Sequence, residues 1–167
     1  PYRSYLGRML PIASNRVKVS AMRHMMIFGL GYSAQAIARH LALSGWTISS
    51  TGSAGNLAFD DEAAVRVALA RATHVLSSVP PAADSDPVLD RYGDFLAQRW
   101  LGYLSSTGVY GDSQGAWVDE TASTRTGRRN ARSVCDARWL ERGARVFRLP
   151  GIYGPCLLYT SPSPRDQ

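Results

Sequence analysis

The stretch that most constrains the fold is Met25-Met26-Ile27-Phe28-Gly29-Leu30-Gly31-Tyr32-Ser33-Ala34. A short apolar run meets two glycines, and a helical pattern starts at once. Ala34, Ile37, Ala38 and Leu41 recur at i, i+3, i+4 and i+7, which puts them on one helix face. Gly45 follows Ser44 where a helix commonly ends in a left-handed residue. The order is strand, tight glycine turn, helix. Gly29 permits the turn, Gly31 lets the backbone approach a pyrophosphate with no Cβ between, and Ala34 lets helix and strand pack closely. The free N–H groups and the positive dipole end of the helix would face the anion. A bare G-x-G-x-x-A is a weak signal, since glycines also serve plain turns. The strand before it and the helix after it point to dinucleotide binding at Gly29, Leu30, Gly31, Tyr32 and Ser33. An ordinary strand-to-helix turn is the rival reading.

The pattern continues along the chain. Trp46–Thr51 reads as a second strand and Gly52–Asn56 as a loop, with a connection shorter than a full extra helix. Asp61–Ala72 is helical, with Ala64, Val65, Ala68 and Leu69 on one face. It leads into a strand at Thr73–Val79, closed by Pro80-Pro81. A helix over Val88–Ala97, a buried strand at Trp100–Thr107, a loop bearing Asp112, Asp119 and Glu120, an arginine-rich helix from about Arg128 to Arg142 and a strand at Arg145–Leu149 complete the series. Strands alternating with helices imply an α/β fold, a parallel sheet covered on both faces. With 167 residues there is material for one ordinary core. No internal repeat is visible.

The net charge of +6 invites a nucleic-acid reading, but its distribution argues against one. Four cations (Arg3, Arg8, Arg16 and Lys18) fall in the acid-free stretch 1–21, and Arg165 cancels Asp166, so +6 less four leaves +2 over Met22–Pro155. That body has no aromatic-interleaved basic stripe, and no apolar run is long enough to span a membrane, so neither nucleic acid nor membrane is expected as a partner. Stretch 1–21 has the basic, serine-containing composition of a transit peptide, yet its apolar residues make no convincing amphipathic face. Translated upstream sequence, with Met22 or Met25 as the start, is the favoured reading. Cys135 and Cys156 are the only cysteines; they suit neither a disulfide framework nor a metal site, so a cytoplasmic setting and no metal are expected. The tail 156–167, Cys156-Leu157-Leu158-Tyr159-Thr160-Ser161-Pro162-Ser163-Pro164-Arg165-Asp166-Gln167, does not continue the pattern. Most of it resembles one reading frame of a transposon adapter used in sequencing libraries. It is expected to be disordered and foreign to the fold.

Three separated segments agree with one another: the turn at Gly29, Leu104-Ser105-Ser106-Thr107-Gly108-Val109-Tyr110-Gly111, and Arg148-Leu149-Pro150-Gly151-Ile152-Tyr153-Gly154-Pro155. Together they resemble the short-chain dehydrogenase/reductase superfamily, on the side of the extended and atypical NAD-dependent epimerase/dehydratase-like proteins. The resemblance covers about Met25–Pro155. It implies a Rossmann-like, doubly wound NAD(P)-binding domain over 22–155, ending before the half that grips substrate. It further implies an oxidoreductase or epimerase acting on a small carbonyl or sugar-nucleotide substrate. Ser106 or Thr107 matches the family's catalytic hydroxyl, which would hydrogen-bond the substrate's reacting oxygen. The rival role for such a hydroxyl is to satisfy loop backbone. Ser77, Ser78 and Val79 would line the cofactor from the neighbouring strand end. Related proteins often pair through helices, so a homodimer is an open expectation.

The departures matter as much. The family's working pair is a tyrosine with a lysine four residues on, the lysine lowering the phenol's pKa. Lys18 is the only lysine here, and Thr124–Arg132, where the pair should fall, holds no tyrosine. Arginine can supply charge there but cannot donate a proton near neutral pH. The acidic pair of dehydratase-like members is missing too, since Gly108 follows Thr107. Whether the chain is an enzyme stays open at this point, and a non-catalytic NAD(P)-binding sensor on the same fold is the alternative. No Asp or Glu lies between Tyr32 and Phe59 to hold both ribose hydroxyls of NAD, and Ser53 stands where related members carry an arginine for the extra phosphate of NADP. Thr51 and Ser53 are therefore the expected ribose-end contacts, with NADP slightly favoured over NAD. The arginines from Arg125 to Arg142 read as a wet helix face, with a phosphate site as the alternative, and His40 and His74 show no recognisable partner.

Overall fold

The computed structural model describes residues 23–83, 85–124, 130–154 and 157. The expected leader, the tail from Pro155 on (Leu157 apart) and the segment 125–129 lie outside them. Five strands, β1 (His24–Phe28), β2 (Thr47–Ser50), β3 (His74–Ser77), β4 (Trp100–Ser106) and β5 (Arg145–Leu149), form one sheet in the order β2-β1-β3-β4-β5. Every pairing is parallel, with Met26 opposite Ser49 and Val75, and Leu104 opposite Phe147. The expected α/β, Rossmann-like architecture is the one observed. Four helices make the crossovers: α1 (Tyr32–Leu43), α2 (Glu62–Arg71), α3 (Pro87–Tyr92) and α4 (Asn130–Glu141).

The order of strands decides which face each helix covers. From β1 the chain steps one way through α1 to β2, then returns past β1 through α2 to β3. Right-handed crossovers therefore put α1 on one face and α2, α3 and α4 on the other. Strand alternation supplies a matching partner for each face. Met26, Phe28, Val75, Leu101 and Tyr103 meet Val65 and Leu69 of α2, Val88 and Tyr92 of α3, and Trp139 of α4. Each large side chain fully removed from water there contributes about 1.5–3 kcal/mol. Met25, Ile27, Leu76 and Leu104 meet Ala34 with Ile37, Ala38 and Leu41 of α1. Helices thus lie on both faces but unevenly. Trp100 and Phe147 on the α1 side stay 36% and 43% exposed, because no described helix reaches β4 and β5 there.

Local chemistry sets the helix ends. Asp61 accepts a hydrogen bond from the Ala64 N–H at 3.0 Å, and Asp86, itself fully buried, accepts from Val88 and Leu89 at the start of α3. Asp86 also accepts the indole N–H of Trp139 at 2.7 Å, tying α3 to α4. The helix expected over Val88–Ala97 is shorter and starts one residue earlier: α3 ends at Tyr92 and a 3-10 turn follows over Gly93–Phe95. The reason is the Gly93 carbonyl, which takes the Leu96 N–H and the Arg142 guanidinium instead of continuing an α-helical ladder. Among the described residues, no helix is long and apolar enough to cross a membrane.

Candidate functional site

The chain leaves β1 for α1 and leaves β3 for α3 on opposite faces, so a crevice opens where their C-terminal ends diverge, the usual ligand position in sheets of this kind. A cavity of about 430 Å³ lies there. Gly29, Leu30 and Gly31 form one wall, Thr51, Gly52 and Ser53 a second, and Ser78, Val79 and Pro80 a third, with Phe59 and Pro87 completing it. Of the ribose-end and strand-end residues expected from sequence, Thr51, Ser53, Ser78 and Val79 face this space. Ser77 does not. It is fully buried on the Val75 side of β3, and its hydroxyl has no partner.

The glycine turn is held from beneath by one backbone carbonyl and two short hydroxyls. The Gly29 N–H donates to the Thr51 hydroxyl at 3.2 Å, the Leu30 N–H to the Thr51 carbonyl at 2.8 Å, and the Ser78 hydroxyl to the Gly29 carbonyl. Gly29 has φ +80°, and a Cβ there would stand 3.0 Å from Val79 Cγ2, so the protein itself demands glycine. Gly52 is demanded likewise, with φ +106° and a Cβ position 2.9 Å from the Leu30 nitrogen. Gly31 is different. Its φ of −79° suits any residue, and a Cβ there would meet nothing within 4 Å. Neither the fold nor the packing asks for glycine at 31; only something occupying the cavity would. The N-terminus of α1 adds to this: Gly31 offers no side-chain cap, the first turn carries no acid, and the N–H groups of Tyr32, Ser33 and Ala34 have no acceptor among the described residues. Open amides at a helix start and a cradle that a methyl would fill suit a diphosphate.

Past Gly31 the crevice continues into a second pocket of about 260 Å³, walled by Tyr32, Ser33, Ser105, Ser106, Arg132 and Leu149. Ser106 ends β4, and its oxygen accepts the Gly108 N–H at 3.1 Å, which leaves its own proton free to donate. Thr107 begins the following 3-10 turn (Thr107–Tyr110), exposed and outside both walls. Ser105 points to the α4 side, 5% exposed, with its hydroxyl unpartnered. Arg132 of α4 reaches the same corner and donates through Nη1 to the Tyr103 hydroxyl at 3.3 Å and the Leu104 carbonyl at 3.5 Å. Of the two roles open to these arginines from sequence, a wet face or an anion site, Arg132 is placed where the second is geometrically available.

Two tyrosines near the strand ends touch an arginine. Tyr103 is buried and stacked on Trp139 at 5.5 Å, and desolvation pushes its phenol up to about 12 in spite of Arg132. That is the reverse of what a proton-exchanging phenol requires. Tyr110 accepts from Arg148 at 3.0 Å, but Arg148 belongs to the buried Asp136 carboxylate, gripped through two nitrogens at 2.8 and 3.1 Å. Asp136 and its neighbours hold the Arg148 guanidinium firmly protonated. The same arginine reaches the Glu120 carbonyl, so it pins the loop after β4. Asp119 works within that loop, accepting from the Thr121 N–H and hydroxyl, which hold its carboxyl below the usual range.

The other candidates sit elsewhere. His74 has partners that the sequence concealed: its Nδ1 lies 2.8 Å from the Thr73 hydroxyl, and its ring packs between Trp46 and Trp100 at the far end of the sheet. Burial, first, and the nearby Asp86 charge push the buried Cys135 thiol up to about 11, away from the thiolate form that a nucleophile needs. Among the described residues, no three His, Cys, Asp or Glu side chains gather into a metal site.

No protein-family model matches the sequence, and no curated protein does. Solved structures do match. A functionally unknown conserved protein from Silicibacter pomeroyi is 38% identical, with TM-score 0.65, over 80% of this chain and 54% of that one. A proposed NAD-dependent epimerase/dehydratase from Methylobacillus flagellatus is 23% identical, with TM-score 0.60, over 80% and 56% of the two chains. A UDP-glucose-4-epimerase from Stenotrophomonas maltophila, solved with bound NAD and formylated UDP-arabinopyranose, is 17% identical, with TM-score 0.51, over 75% and 52%. The chain therefore spans a little over half the length of the structures it matches. What these matches establish is the fold of NAD-dependent epimerase/dehydratase structures, along about four-fifths of this chain.

Proposed function

We propose that this chain, which has the fold of the NAD-dependent epimerase/dehydratase structures, binds NAD or NADP at the Gly29–Ser33 turn as the cofactor half of a short-chain dehydrogenase/reductase-like oxidoreductase or epimerase. The observation that carries this is Gly31: a glycine required by neither its φ nor its neighbours, standing over an open cavity beside uncapped helix amides. The turn and the start of α1 would hold the diphosphate, Thr51 and Ser53 the adenosine ribose, and Ser78 and Val79 the inner wall. When bound, the dinucleotide supplies the hydride acceptor or donor. Ser106, with its proton free, would hold the oxygen of a small carbonyl or sugar-nucleotide substrate, and Thr107 lies less well placed for that role.

At the ribose end both cofactors fit. No acid between Tyr32 and Phe59 repels a 2′-phosphate, which favours NADP slightly, and no arginine attracts one. A second reading, a non-catalytic NAD(P)-binding sensor, is favoured by the missing tyrosine–lysine pair and by the raised, buried phenol of Tyr103. Quenching of tryptophan fluorescence by NADH and NADPH tests the shared premise, and turnover of a panel of carbonyl substrates separates the two readings. Saturable quenching is expected. Its absence up to about 1 mM, a free energy weaker than about −4 kcal/mol, overturns both.

A further inference from the structure

We infer that the corner formed by Arg132, Ser105 and Ser106 is a second anion seat, which takes a carboxylate or phosphoryl group of the substrate. The inference rests on reading the neighbouring turn as the diphosphate seat, and it names the class of molecule that completes the site. Four features converge. Arg132 is a permanent cation with only its Nη1 engaged among the described residues, in two long contacts, and it has no carboxylate partner there. The acids of that region are already committed: Asp136 to Arg148, and Asp86 to α3 and Trp139. The Ser105 hydroxyl, lining the same pocket and more than nine-tenths buried, has no hydrogen-bond partner among the described residues, which a buried hydroxyl tolerates poorly unless a ligand supplies one. Among the described residues no carboxylate lines the pocket.

The Arg132 guanidinium and the Ser105 hydroxyl, with no described acid opposite, offer donors in excess of acceptors, and leave the single Ser106 proton for the reacting oxygen. An anion corrects that imbalance, and a planar or tetrahedral oxyanion matches the fork of the arginine. The opposite wall of the pocket is the start of α1, so the second anion would sit across from the diphosphate rather than on it. A neutral ligand would leave the guanidinium facing an uncharged group in a partly closed space.

The test uses the full chain, with inorganic phosphate as the probe and sodium chloride at matched ionic strength as the control. Amide and Arg132 Nε–H shifts are followed by nuclear magnetic resonance, with and without saturating NADPH or NADH. Phosphate should move Ser105, Ser106 and Arg132 saturably in both conditions. Arg132→Gln should weaken phosphate binding by about tenfold or more, while dinucleotide affinity changes less than about threefold and Arg132→Lys keeps part of the response. The inference is overturned if Arg132→Gln binds phosphate as the wild type does, or if phosphate moves only residues 29–33 and dinucleotide displaces it. Failure of the wild type to bind either dinucleotide sinks the functional reading instead. In that event a response through Arg132 still supports the anion seat.

Discussion

The two corners of the crevice are built in opposite ways. At the β1–α1 corner, backbone and short hydroxyls hold backbone: Leu30 N–H to the Thr51 carbonyl, the Ser78 hydroxyl to Gly29, and glycine wherever a Cβ would collide. At the β4 corner, long side chains hold the loop, with Arg148 bridging Asp136, Tyr110 and the Glu120 carbonyl. The first corner has little freedom to change its shape and keeps its ligand-facing amides open. The second depends on a few charged groups, so it can vary while the sheet stays the same. A crevice built this way holds the glycine-turn corner fixed and leaves the β4 corner to a few side chains.

The largest expected effect breaks the second corner and spares the first. Asp136→Asn leaves Arg148 charged and unpaired in a mostly buried position, and should cost about 3–5 kcal/mol in urea unfolding. Dinucleotide affinity of the folded fraction should stay within about twofold if the corners are independent. Next come the two glycines of the first corner. Gly29→Ala places a Cβ at φ +80°, which costs about 1–2 kcal/mol before the contact with Val79 Cγ2 is added. Gly31→Ala should cost about 1 kcal/mol or less, the ordinary difference at a helix start. Equal losses at 29 and 31 would refute the distinction drawn between them.

Smaller still is Ser106→Ala, which removes the hydrogen bond to the Gly108 N–H at an exposed site, for about 0.5 kcal/mol. Its expected signature is chemical rather than thermal: if the chain turns over a carbonyl, Ser106→Ala should reduce turnover far more than Thr107→Ala. The smallest effect lies outside both corners. Burial, aided by Arg71 at His24 and by Arg23 at His74, lowers the pKa of both rings. Both are therefore neutral in the fold at a pH where the unfolded chain would begin to take up protons. Their contribution is complete above about pH 6.5 and declines as pH falls below it, so the melting temperature should drop slightly between pH 7 and 5.5 with no change in dinucleotide affinity at pH 7.

Much of this was legible from residues. Short apolar runs bounded by turn residues placed the strands, and Gly45 closed α1 at φ +81°, because both signals act over a few neighbouring residues. The end of α3 was not legible, since it depends on Arg142, which is 49 positions from Gly93. The aromatic partners of His74, Trp46 before β2 and Trp100 at the start of β4, are 28 and 26 positions away, beyond any local pattern. Arg132 looked like one more exposed arginine because helical phase alone does not say which face meets the strand ends. Ser77 was readable and missed: alternation with Val75 and Leu76 puts it on the opposite face from Ser78. That helices cover both faces was legible; that three lie on one side and one on the other follows from the single return past β1, which only the strand order shows.

The direct test of the account is dinucleotide titration of the wild type beside Gly31→Ala, at matched thermal stability. A diphosphate seated on the turn predicts saturable NADH or NADPH binding by the wild type, and a loss of about tenfold or more when a methyl enters the cavity at 31, which is about 1.4 kcal/mol. Equal affinity in the two proteins, or no binding by the wild type, would contradict it.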